Sequence, residues 1–227
     1  MAESYGMRAS HSTRDAVYLQ LKDQILSLAL PPGTALSEQE MAGSFQVSRT
    51  PVRESFVRLA QEGLVQVLPQ RGTFVSLIDT EHALEARFMR EHLERAVVRL
   101  ACDSLPETSL AALDGNLADQ LSALESRDEK RMFELDEAFH RTIFAGCNKM
   151  NTWTLLQQAK AHLDRTRHLS LAPDRDWHHL FNQHRTIVEA IRRRQADDAE
   201  RAMHEHLSQT VTDLNELKRN YPHYFKP

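Results

Sequence analysis

No apolar run in this sequence approaches the roughly 18 residues that a membrane-spanning helix requires, so no membrane partner is expected. The opening MAESYGMRASHSTRD has no apolar core of the kind a secretory signal carries; residues 1–11 read as a disordered leader and the cytoplasm as the expected compartment. Cysteine is nearly absent. Cys102 and Cys147 are the two present, without CxxC spacing, which excludes a secreted disulfide scaffold and leaves both as small buried fillers. Glycine is scarce too, with seven in 227 residues, and strand-like alternation is confined to one place, so a mainly α fold is expected. Excess positive charge is also missing. The net charge is −4, and any nucleic-acid surface must be a local patch on an acidic protein. The remainder, 41% hydrophobic and 26% charged, suits one large or two small globular domains.

What is present begins with residues 47–64, VSRTPVRESFVRLAQEGL. Val52, Phe56 and Leu59 recur at helical spacing and make one face apolar. Ser48 is the expected N-cap, Pro51 sits in the first turn, and Gly63 is the expected left-handed cap. Arg49 and Arg53 share a different, solvent-facing side. An arginine can bond guanine O6 and N7 together, and Ser48 and Thr50 can bond phosphates or base edges. Alone, this is equally an amphipathic surface helix with solvated arginines, and its neighbours decide the matter. Residues 15–30 carry Val17, Leu21, Ile25 and Leu28 at helical spacing and stop at Pro31-Pro32-Gly33. Ser37, with Glu40 three residues on, opens a second short helix with Met41, Ala42 and Phe45 on its apolar side. A tight turn at Gln46-Val47 then leads into the arginine helix, which completes a helix-turn-helix. After Gly63 the period becomes two. Residues 64–68 and 73–76 read as a hairpin wing with Arg71-Gly72 at its tip, where Arg71 is a candidate for the minor groove.

The stretches PPGTALSEQEMA, VSRTPVRESFVRLAQEGLV and RGTFV together resemble the winged helix-turn-helix of the GntR family of bacterial transcription regulators. The resemblance implies a head over residues 12–78, three helices plus a small β-hairpin, that binds double-stranded operator DNA. It implies contacts from Ser48, Arg49, Thr50 and Arg53 on the recognition helix and from Arg71 and Gly72 at the wing tip. Glu38 and Gln39 match positions where the family often adds contacts. Arg58 reads as helix surface or a phosphate contact. Ser55 stands where the family usually has alanine.

Residues 79–220 read as an antiparallel all-α bundle of about six to seven helices, with a tail at 221–227. Six segments are visible, at 80–104, 107–125, 129–146, 149–171, 175–194 and 196–219, with breaks that include Pro106 and Pro173. Three of them place polar groups on an apolar stripe: Asp136 and His140 between Phe133 and Ile143, His184 between Phe181 and Val188, and His206 among Met203, Thr210 and Leu214. A lone inward histidine is usually a hydrogen-bonded core residue. A carboxylate and three imidazoles aimed into one core are costly unless satisfied, and a divalent ion (zinc, nickel, manganese or iron) would satisfy all four. His178, His179 and His204 fall off the stripes and read as exposed. His162 lies on a possible inward line with Leu155, Ala159 and Thr166.

MREHLERAVVRLA, DEAFHRTIFAGCNK and NQHRTIVEAIRRRQADDAERAMHEHL resemble the FCD ligand-binding domain that accompanies the GntR head in the FadR subfamily. In metal-binding members the ligands match Asp136, His140, His184 and His206. Gln183 stands where members often have glutamate. Arg90 matches an arginine that could hold an effector carboxylate, against a surface salt bridge with Glu94 as the plainer reading. His162 is carried as a second effector contact. The implied protein is a homodimeric, metabolite-responsive regulator, a repressor relieved by a small organic acid bound with the metal's help. Its rivals are a regulator for which the metal is the signal and a metalloenzyme whose open metal position activates water. The second rival lacks a clear general base and leaves the head unexplained.

Overall fold

The computed structural model describes residues 12–170, 177–209 and 214–227. The leader, the break expected at Pro173 and the stripe position of Thr210 lie outside the described residues. The chain divides into two units, Met1–Ile78 with His223–Pro227, and Asp79–Pro222.

In the first unit, helix α1 (Thr13–Leu26) is capped by Ser12, whose hydroxyl accepts from the Asp15 N–H. It buries Val17, Tyr18, Leu21 and Ile25 and packs on α3 (Arg49–Gln61), which buries Val52, Phe56 and Leu59. Leu28 does not extend the α1 stripe as its spacing suggested. The helix stops at Leu26, and Leu28 takes a left-handed φ of 64° in the turn toward the two prolines. Between them, α2 (Glu38–Phe45) starts where the Ser37 hydroxyl accepts from the Glu40 N–H, and it ends on left-handed Gln46. Gly63 has φ 72°, a left-handed conformation that glycine adopts without steric cost.

Strands β2 (Val65–Leu68) and β3 (Gly72–Val75) pair antiparallel, with Gln66 opposite Phe74 and Val67 opposite Thr73. A third strand, β1 (Ala35–Leu36), pairs with the other edge of β3, giving the order β1-β3-β2. Two residues are too few to show a period, which is why sequence patterning did not reveal β1. The C-terminal residues close this unit. Phe225 is buried and bridges to Ile78, whose N–H donates to the Tyr224 carbonyl and whose carbonyl accepts from the Lys226 N–H.

The second unit contains α4 (Thr80–Ser104), α5 (Glu107–Ser126), α6 (Glu129–Gly146), α7 (Met150–Ala159), α8 (Ala161–Ser170), α9 (Trp177–Arg192), α10 (Ala196–Gln209) and α11 (Leu214–Asn220). The segment expected as one helix over 149–171 is two. They part at Lys160, whose ammonium is buried between Glu137 at 2.8 Å and Asp164 at 2.8 Å. The core draws Val98, Ala101, Leu113, Phe139, Ile143, Leu156, Ile187, Val188 and Met203 from six of these helices. Among the described residues no helix is long and apolar enough to cross a membrane.

Candidate nucleic-acid interface and metal centre

Burial of Val52, Phe56 and Leu59 fixes which side of α3 faces outward. That side carries Arg49, Thr50 and Arg53, all exposed. Ser48 is the N-cap residue by its extended backbone, yet its hydroxyl makes no capping bond and stays available. The arginines are not loose. Arg53 donates from Nε and Nη2 to the two carboxylate oxygens of Glu38 at 2.9 Å each, and Arg49 donates from Nη2 to Glu38 at 3.1 Å. The Arg53 hydrogen bonds, followed by those of Arg49, hold the Glu38 carboxyl below its usual range. Arg71 is exposed in the turn between β2 and β3, flanked by Gln70 at φ 61° and Gly72 at φ 111°. Ser55 fits its buried place because its hydroxyl donates to the Pro51 carbonyl at 2.7 Å. Arg58 lies 3.5 Å over the Tyr18 ring and so belongs to the α1–α3 contact.

In the second unit Asp136, His140, His184 and His206 come together, all buried, with one donor atom from each within 4.8 Å of every other. His140 Nε2 stands 3.1 Å from His206 Nε2, which stands 3.4 Å from His184 Nε2. Asp136 Oδ1 lies 3.8, 3.5 and 4.0 Å from the Nε2 atoms of His140, His184 and His206. Helices α6, α9 and α10 supply these groups, and the apolar residues around them on each helix set their direction.

Each imidazole is also held from behind. His184 Nδ1 faces Gln120 Oε1 at 2.9 Å, His206 Nδ1 faces Gln183 Oε1 at 3.2 Å, and His140 Nδ1 pairs with the Glu94 carboxylate. Gln120 is oriented in turn, since its Nε2 donates to Asn116 Oδ1 at 2.6 Å. An oxygen at each Nδ1 places the ring proton there and leaves the lone pair on Nε2. Three lone pairs and a carboxylate oxygen then converge with no donor among them, and Asp136 Oδ1 has no hydrogen-bond partner among the described residues. Such a cluster is repulsive until a cation enters. Ligands about 2.1 Å from a tetrahedral zinc stand about 3.4 Å apart, which matches the closer separations here. The residues therefore fit a divalent ion. Burial would raise the Asp136 carboxyl, but the Arg167 guanidinium holds it well below its usual value. Burial pushes His184 down, and burial with the neighbouring imidazoles pushes His206 well down. Burial also works against charge on His140, but Glu94 raises it.

Arg90 is not on the surface. It is buried on α4 and donates from Nε to Glu94 at 2.7 Å, so it braces the carboxylate that holds His140. His162 accepts at Nδ1 from the Asp79 backbone N–H at 2.9 Å and faces Arg165 Nη2 at 2.7 Å. Leu155, placed on an inward line with His162, is 66% exposed, because the break at Lys160 shifts the phase between α7 and α8. His178, His179 and His204 are exposed, and His204 faces Glu91 at 2.9 Å. Cys102 is buried, which pushes its thiol up to about 11. Sequence reasoning missed Glu94, Gln120 and Arg167 as partners of the cluster. Gln120 carried the usable signal, a polar group on the stripe of Leu113, Leu117 and Leu124.

A family model described as bacterial regulatory proteins, gntR family, matches residues 13–75, and one described as the FCD domain matches residues 85–209. The chain is 39% identical over 227 residues, 99% of its own length and 93% of the relative's, to an uncharacterised HTH-type transcriptional regulator in an unstable DNA locus of Streptomyces ambofaciens. It is 34% identical over 209 residues, 92% of each chain, to the HTH-type transcriptional repressor RspR of Escherichia coli. The solved structure of Escherichia coli McbR/YncC shares the fold, with a TM-score of 0.79 at 23% identity over 93% of this chain and 99% of that one. The family and these relatives are regulators, not enzymes, which removes the metalloenzyme rival. The chain belongs to the GntR family of bacterial transcription regulators and carries an FCD domain after its DNA-binding head.

Proposed function

We propose that this regulator binds operator DNA as a homodimer, each head reading one half-site, and represses transcription. Ser48, Arg49, Thr50 and Arg53 contact the major groove, and Arg71 and Gly72 the minor groove. Asp136, His140, His184 and His206 hold a divalent ion, zinc before nickel, manganese or iron, which helps bind a small carboxylate effector. One observation carries the metal reading: four buried donor atoms converge while oxygens of Glu94, Gln120 and Gln183 hold the three imidazoles from behind. A bound divalent ion supplies a Lewis-acidic centre for a carboxylate oxygen. The likeness to a protein named as a repressor supports the sign.

Arg90 favours a second reading, in which the metal itself is the signal. The guanidinium expected to grip an effector carboxylate is buried and already engaged by Glu94, which takes away a side chain that an organic-acid signal would need. One set of measurements tests both. Metal analysis of chelator-free protein should give about one divalent ion per chain, lost in His184→Ala. Gel shifts on an operator obtained by selection should then respond to small carboxylates only when metal is loaded. A response to metal alone supports the second reading, and metal-free protein from such a preparation refutes both.

A further inference from the structure

We infer that Glu38 is a positioning residue for the two recognition arginines and sets how sharply the head separates its operator from other DNA. The inference rests on the assignment of Arg49 and Arg53 to the major groove. One carboxylate binds both arginines, and it grips Arg53 side-on, through Nε and Nη2. A guanidinium carries five N–H groups. The side-on grip leaves the end-on edge, Nη1 with the second hydrogen of Nη2, free to meet guanine O6 and N7.

Exposure shows which partner is anchored. The Glu38 side chain is 24% exposed, against 61% and 65% for Arg49 and Arg53. Glu38 is the first residue of α2, beside the Ser37 cap, where the helix dipole favours a carboxylate. The arginines are thus ordered against a fixed point before DNA arrives, and ordering a long side chain in advance lowers the cost of binding. The carboxylate also cancels one of two positive charges on the reading surface. Attraction to phosphate is blind to sequence, so this weakens random binding more than base reading. Both effects raise the ratio of specific to random affinity.

The test uses the full chain and a duplex pool with a randomised core, from which the wild type selects a consensus. Binding to that consensus and to the unselected pool is then measured against salt for the wild type, Glu38→Gln, Glu38→Asp and Arg53→Ala. Glu38→Gln should bind the pool more tightly, with a steeper salt dependence, while its consensus-to-pool ratio falls about tenfold, the scale of one bidentate base contact. Glu38→Asp keeps the charge but is one methylene shorter. Its pool affinity should match the wild type while its ratio falls. Melting temperatures should stay level, since exposed ion pairs add little stability. A ratio unchanged in Glu38→Gln or in Glu38→Asp, beside a collapsed ratio in Arg53→Ala, overturns the inference alone. An unchanged ratio in Arg53→Ala overturns the recognition-helix assignment beneath it.

Discussion

A neutral imidazole has one lone pair, and the contact at its other nitrogen decides where that lone pair points. This is why Gln120, which touches no metal, matters to the cluster. Its Oε1 stands 2.9 Å from His184 Nδ1, and Asn116 fixes its amide. Gln120→Ala should lower divalent-metal affinity by about 10- to 100-fold, the usual effect of losing such a partner. Chelator competition on the purified variant measures it, and wild-type affinity would reduce Gln120 to a packing residue. Gln183 does the same service for His206, so the amide in place of the family's glutamate still supplies an oxygen. Asp136, His140, His184 and His206 were legible because each breaks an apolar stripe. A stripe tells which way a side chain faces, not which residue of another helix it meets. Glu94 behind His140 and Arg167 beside Asp136 were therefore out of reach of local spacing.

α8 is polar by sequence, AHLDRTRHLS, yet Asp164, Arg165, Thr166 and Arg167 on it are buried. Periodicity could not have placed this helix, because nothing on it separates a wet face from a dry one. Charge pairing places it instead. Arg167 meets Asp136, Glu137 and Asp164, and the Lys160 ammonium beside the break meets Glu137 and Asp164. Burial would raise the Glu137 carboxyl, but Lys160 and Arg167 hold it well below its usual range. The helix α6, by contrast, was readable to its ends. Asp128 caps it, accepting from the Arg131 N–H at 2.9 Å. Asp128→Ala should cost about 1 kcal/mol in urea unfolding, as lost N-caps do, with metal binding intact. A loss of metal in that variant would mean that the cap also positions Asp136 and His140.

For the whole molecule, two units imply two responses to heat. An ion bound between α6, α9 and α10 stabilises the unit that contains them, by about 2.7 kcal/mol at a hundredfold excess over the dissociation constant. Calorimetry should show one transition rising by about 5–10 °C on metal loading. The other should stay in place, and His206→Ala should abolish the shift. Two transitions rising together would refute independent melting of the units. The order of head and bundle was legible because the residue period changes from mixed to purely helical near residue 78. The return of the last residues was not, since Phe225 is a single apolar residue with no pattern around it. That return makes the second unit an insertion: the first unit is discontinuous in sequence, with Ile78 and Phe225 on either side of everything inserted. A head excised at residue 78 would lack part of its own interior. A fusion tag placed after Pro227 would follow directly on the DNA-binding unit rather than on the helical bundle.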